Sequence, residues 1–224
     1  LKLLDAHNIA YGVLTAPSFL GTDNRHLLEG LAAANGRLRG TVIVDPATPR
    51  NALEVFAKQG VIGIRLNLFR KASAPDLTSA EYRALFENCA SLDWQVEIYD
   101  EGPRLARWLP QILATGVKVV VDHFGSPEPA NGVNCPGFRY ILKGFATGRL
   151  WVKLSARYRV GEGLAAECAK LLLQEGTAKR LVWGSDWPWT QNEPGQSYAE
   201  CLHWLEQWAP EHSDRETILG ATAR

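Results

Sequence analysis

Apolar residues in this chain gather into short continuous runs, separated by longer segments in which they recur every three or four positions. Seven runs have strand length: Gly12 to Ala16, Thr41 to Asp45, Val61 to Leu68, Trp94 to Tyr99, Val117 to Asp122, Leu150 to Ser155 and Arg180 to Gly184. They do not alternate cleanly. A stretch such as Val117-Lys118-Val119-Val120-Val121 predicts a strand covered on both faces, as in a parallel sheet wrapped by helices.

The intervening segments carry helix signals. Thr48-Pro49 opens one helix, which bears Leu53 and Phe56 and stops at Gly60. Thr78 with Glu81, and Ser197 with Glu200, match capping boxes, in which a hydroxyl side chain satisfies an orphan N–H of the first turn. Tyr82, Leu85, Phe86 and Cys89 form one stripe, and Cys201, Leu202, Leu205 and Trp208 another, at the spacing that buries one face. Pro110 interrupts the pattern Leu105, Trp108, Leu109, Ile112, Leu113, so that helix is expected to kink or restart.

Seven strands, each followed by a helix and with no low-complexity linker, predict one α/β domain over residues 1–224. The expected architecture is a (β/α)8 TIM-type barrel. A closed eight-fold barrel typically needs about 250 residues, and the first strand is the unit expected to be missing. The chain contains no methionine and opens in a helix-like Leu1-Lys2-Leu3-Leu4. It closes on Ile218 to Arg224, and truncation at both ends is expected. A doubly wound open sheet is the alternative, but no Gly-rich phosphate turn accompanies it.

Charge and cysteine usage narrow the function classes. With 24 basic against 24 acidic residues and no basic run, the chain lacks the concentrated positive field that nucleic acid or an anionic membrane surface requires. Small neutral or anionic metabolites remain open. Cys89, Cys135, Cys168 and Cys201 are widely spaced and read as reduced core thiols. There is no signal-peptide pattern, no span of membrane length and no N-x-S/T acceptor, so a cytoplasmic setting is expected. Oligomeric state is left open.

In a parallel barrel the strand C-terminal ends share one face, so the polar residues there are the candidates for chemistry. Asp122 and His123 follow Val121, Asp186 follows Gly184-Ser185, and Tyr99 ends another strand. Arg65 and Asn67 stand at alternate positions and point the same way. A further polar run, Lys153 to Arg159, ends the strand beginning at Leu150. Other readings stand beside these: a strand-end hydrogen bond for His123, a helix N-cap for Asp186, an ion pair with Glu97 for Arg65, and an outward-snorkelling Lys153. Trp183, Trp187 and Trp189 read as packing and pocket wall, while His7, His26, His203 and His212 are weak candidates.

Leu14 to Asn24, Gly63 to Leu68 (G-I-R-L-N-L), Val121 to Pro127 (V-D-H-F-G-S-P), Trp151 to Ser155 (W-V-K-L-S) and Val182 to Pro188 (V-W-G-S-D-W-P) together resemble the amidohydrolase-related barrel hydrolases. That family includes 2-pyrone-4,6-dicarboxylate lactonase and sugar lactonases. The resemblance implies a distorted (β/α)8 barrel of the metal-dependent-hydrolase kind that hydrolyses a lactone or related ester, with Asp186 as general base toward water and His123 polarising the carbonyl. It also implies that Arg65, Tyr99 and Arg159 hold substrate carboxylates, to which the alternation with Arg65 adds Asn67. The family opens with an H-x-H pair, which is absent here.

A mononuclear hydrolase metal needs three or more nitrogen or oxygen ligands, and only His123 and Asp186 are convincing donors, so no metal is expected. Zinc or manganese would enter if an H-x-H preceded Leu1 in a longer protein. Two further readings stay open, a metal-dependent decarboxylase of the same superfamily and a non-catalytic carboxylate-binding barrel. Serine-hydrolase and metzincin readings lack their G-x-S-x-G and H-E-x-x-H motifs.

Overall fold

The computed structural model describes residues 1–222. Seven strands, β1 (Gly12–Thr15), β2 (Leu38–Val42), β3 (Val61–Asn67), β4 (Gln95–Tyr99), β5 (Lys118–Val121), β6 (Leu150–Leu154) and β7 (Leu181–Trp183), follow one another in the sheet in chain order. Before β1 comes α1 (Lys2–Ala6); between the strands lie α2 (Arg25–Ala33), α3 (Arg50–Lys58), α4 (Ala80–Ser91), α5 (Gly102–Ala114), α6 (Pro136–Gly144), α7 (Arg157–Val160) and α8 (Glu162–Gly176), and after β7 come α9 (Tyr198–Trp208) and α10 (His212–Glu216). The residues cluster into two compact units, one formed by Leu1–Ile98 with Pro110–Val119, the other by Tyr99–Leu109 with the chain from Val120 onward.

In the first unit β1 pairs in parallel with β2 from Gly12↔Leu38 to Thr15↔Thr41, and β2 pairs in parallel with β3. Gly40 has no Cβ because the space is taken: an added one would sit 2.8 Å from Leu27 Cδ2 of α2. Strand β2 lies three residues earlier than its apolar run predicts. Asn24, which is buried, accepts from Ile43 N at 3.1 Å and donates to Ile43 O at 2.8 Å, so the backbone beyond Val42 bonds a side chain instead of a neighbouring strand.

In the second unit β6 and β7 pair in parallel from Val152↔Leu181 to Leu154↔Trp183. Phe124, Phe138, Ile141, Leu150, Val152 and Leu172 are fully buried there. Removing such side chains from water stabilises by roughly 1.5–3 kcal/mol each. Across the sheet, β4 and β5 are buried at every position after their first residue, as continuous apolar runs predict, whereas β6 alternates.

Two helix details differ from expectation. The N-cap of α4 is Ser79, whose hydroxyl accepts from Tyr82 N, while Thr78 donates to Asp76 instead. Helix α5 runs through Pro110 without restarting. Ser197 caps α9 by accepting from Glu200 N, as the sequence predicts. The cysteines Cys89, Cys135, Cys168 and Cys201 are all free and buried. Among the described residues, no helix is long and apolar enough to cross a membrane.

Candidate active site

The second unit brings several strand ends together. After β5 the chain turns at once: His123 (φ 49°) and Phe124 (φ 58°) both take left-handed backbone conformations, and so does Asp186 (φ 56°), beyond β7. Such conformations cost a side-chain-bearing residue about 1–2 kcal/mol each and concentrate where function holds a side chain in place. Here they aim the two groups at each other, with His123 Nε2 lying 3.8 Å from Asp186 Oδ1.

Each partner is held from behind. Ser155, just past β6, places its Oγ 2.8 Å from His123 Nδ1, and both residues are buried. Tyr99 meets the imidazole edge to face at a centroid distance of 4.6 Å. Asp186 Oδ2 accepts from Tyr158 OH at 2.6 Å and from Arg159 Nε at 2.9 Å, while Arg159 Nη2 also donates to Thr190 O. One carboxylate oxygen is therefore anchored, and the other faces the imidazole at a distance too long for a hydrogen bond.

Asp122 and Lys153 form an ion pair at 2.6 Å, with the carboxylate side chain 2% exposed and the ammonium side chain 18% exposed. Lys153 therefore turns inward rather than snorkelling to solvent. Its stem crosses Gly184, where an added Cβ would lie 2.9 Å from Lys153 Cδ. Burial holds the His123 pKa below its ordinary value, against the raising effect of Asp122 and Asp186. The imidazole is accordingly neutral near pH 7. Burial also pushes the Tyr99 phenol up to about 12, and burial together with the bond to Asp186 raises Tyr158 further, so both phenols keep their protons.

Arg65 and Asn67 belong to the first unit. Arg65 Nε lies 3.6 Å from Glu97 Oε1, and its Nη1 donates to Ala16 O. Thr15 and Thr41 donate to Glu97 Oε2 at 3.3 and 3.4 Å. Asn67 Nδ2 donates to Ser18 Oγ at 3.0 Å. The ion-pair reading of Arg65 thus has a partner in the structure.

The sequence assigns no part in the chemistry to Ser155, to Tyr158 or to the pairing of Asp122 with Lys153. The polar run from Lys153 to Arg159 contains three of these residues, and Asp122 stands at the end of β5, but the run does not say which member turns inward. Asp186 does not cap a helix: its carbonyl accepts from Trp189 N in a tight turn. Trp183 and Trp189 use their indole N–H groups on Cys201 O and Ser185 O, as wall residues do, whereas Trp187 is 58% exposed. A neighbouring cavity of about 370 Å³ is lined by Arg157, Tyr158, Gln196, Glu200 and Trp204 among others. It shares Tyr158 with the site but is lined by neither His123 nor Asp186.

Among the described residues, no group of three or more His, Cys, Asp or Glu side chains is placed to hold a metal ion. The arrangement instead offers a carboxylate oxygen and an imidazole nitrogen across a gap that one reacting group can enter, with phenols and a guanidinium around it.

A family model described as amidohydrolase matches residues 1–224. The chain is similar to a 4-sulfomuconolactone hydrolase of Hydrogenophaga intermedia, with 25% identity over 229 residues, covering 98% of this chain and 75% of that protein. Its fold is similar to that of a candidate 2-pyrone-4,6-dicarboxylic acid hydrolase of Pseudomonas putida, with a TM-score of 0.93 and 36% identity, over 100% of this chain and 84% of the other. A candidate hydrolase of the same kind from Acinetobacter baumannii, solved with citric acid bound, gives a TM-score of 0.93 and 32% identity, over 99% and 85%.

Proposed function

The chain belongs to the amidohydrolase family, and from that premise we propose that it hydrolyses the ring ester of a small lactone bearing acidic groups. The similar proteins are named for a sulfonated lactone and a pyrone dicarboxylate, both cyclic esters with anionic substituents. The seven parallel strands support a (β/α)8 barrel over residues 1–224, with the site at the strand C-terminal ends.

The observation that carries the reading is the asymmetry of Asp186. Its Oδ2 is fixed by Tyr158 and Arg159, while Oδ1 faces His123 Nε2 at 3.8 Å. A water at Oδ1 gives a proton to the carboxylate and attacks the lactone carbonyl, and the carbonyl oxygen, as it becomes an oxyanion, is polarised by the imidazole. Collapse of the tetrahedral adduct breaks the ring C–O bond, and the leaving alkoxide recovers the proton from Asp186. Tyr99 and Arg159, in the same unit as Asp186, are the residues assigned to the acidic substituents, with a guanidinium fork matched to a carboxylate.

Asp186→Asn tests the assignment with the backbone left undisturbed, because Asn tolerates a left-handed conformation as Asp does. Turnover of a carboxylated lactone should fall by about 10²–10⁴-fold with binding nearly unchanged. Unimpaired turnover in that variant would overturn the base assignment. Failure of the parent protein to open any member of a carboxylated-lactone panel, with and without added divalent metal, would overturn the function.

A further inference from the structure

We infer that Ser155 is a positioning residue that locks His123 in the tautomer carrying its proton on Nε2, so that the imidazole is a hydrogen-bond donor toward the space beside Asp186. Its catalytic meaning rests on the hydrolase reading above. Its geometry does not.

Two observations converge on this tautomer. The first is the hydrogen bond of 2.8 Å between Ser155 Oγ and His123 Nδ1. Ser155 is 1% exposed, and among the described residues its hydroxyl has no other hydrogen-bond partner. If Nδ1 carried the imidazole proton, Ser155 would accept it and leave its own O–H buried with nothing to donate to, at a cost of about 1–3 kcal/mol. If Ser155 donates to Nδ1, both groups are satisfied and the imidazole proton must sit on Nε2.

The second observation is on the far side of the ring, where Nε2 faces Asp186 Oδ1 at 3.8 Å. A bare nitrogen lone pair opposite a carboxylate oxygen is repulsive, whereas an N–H there is attracted to it. Burial keeps the ring in a neutral form against the pull of the two carboxylates, which the neighbouring cations offset in part. Asp122 is paired with Lys153 and Asp186 with Arg159, so the ring lies among two anions and two cations.

An imidazole fixed in this way offers an N–H to a carbonyl oxygen entering the gap and cannot act as the base, a task left to Asp186. Loss of the Ser155 hydroxyl would let the ring sample both tautomers, and only one of them polarises the substrate. The residue would then affect turnover far more than binding.

The test is a long-range proton–nitrogen correlation spectrum of the protein labelled with 15N-histidine at neutral pH, with the His123 signals assigned by their loss in His123→Gln. The expected result is a pyrrole-type Nε2 and a pyridine-type Nδ1. The reverse pattern, or an imidazolium, overturns the inference even if the protein is an active lactonase. The expected pattern upholds the tautomer even if no lactone is hydrolysed. In kinetics, Ser155→Ala should lower kcat about tenfold, the effect of one lost hydrogen bond, with KM little changed, and Ser155→Thr should recover part of the loss. A Ser155→Ala enzyme with wild-type kcat overturns the positioning role.

Discussion

Under the proposed mechanism Arg159 would have two duties, and they can be separated. Its Nε holds Asp186 and its Nη2 reaches Thr190 O, while the rest of the guanidinium edge is assigned to substrate. Tyr158 has only the first duty. Tyr158→Phe should therefore lower kcat about tenfold, by one hydrogen bond to the base, with KM nearly constant, whereas Arg159→Lys should worsen both constants; steady-state kinetics on each variant decides. At this scale the sequence singles out His123 and Asp186 because each stands just past an apolar run. It does not show Ser155 as the partner of His123, since 32 positions separate them and only the adjacency of strand ends brings them together. Lys153 is misleading for a related reason: an outward reading is the usual one for a lysine, and the buried Asp122 that draws it inward is distant in sequence.

Elements read well from the chain where periodicity is strong and less well where one side chain decides a boundary. All seven apolar runs are strands, but β2 ends at Val42 because Asn24 takes the next backbone groups. In α4, Thr78 and Ser79 are both chemically able to cap, and only the backbone geometry selects Ser79. Ser79→Ala should cost about 1 kcal/mol of stability, with Thr78→Ala costing much less; urea titration of the two variants checks the order. Glycine carries a related constraint at the start of α6, where a Cβ on Gly137 would lie 1.8 Å from Gly102 O. Gly137→Ala should destabilise by at least about 1–3 kcal/mol, as overpacking does, and lower the thermal midpoint accordingly.

For the whole molecule, the uniform alternation of strand and helix gives no boundary in the sequence, and the division into two compact units falls within β4, α5 and β5 rather than at a linker. The molecule's response to acid is a global consequence of one buried ring. Burial depresses the His123 pKa, so below the ordinary histidine range near 6.5 the unfolded chain binds a proton that the folded protein does not. Stability should fall as pH drops through that value, and His123→Gln should flatten this part of the profile of urea midpoint against pH. The sulfur atoms offer a second global reading. With Cys89, Cys135, Cys168 and Cys201 all free and enclosed, the folded chain shields these thiols from a maleimide, so the rate of thiol alkylation near neutral pH becomes a clock for its transient opening, and one cysteine introduced on the surface would give a dye a single address.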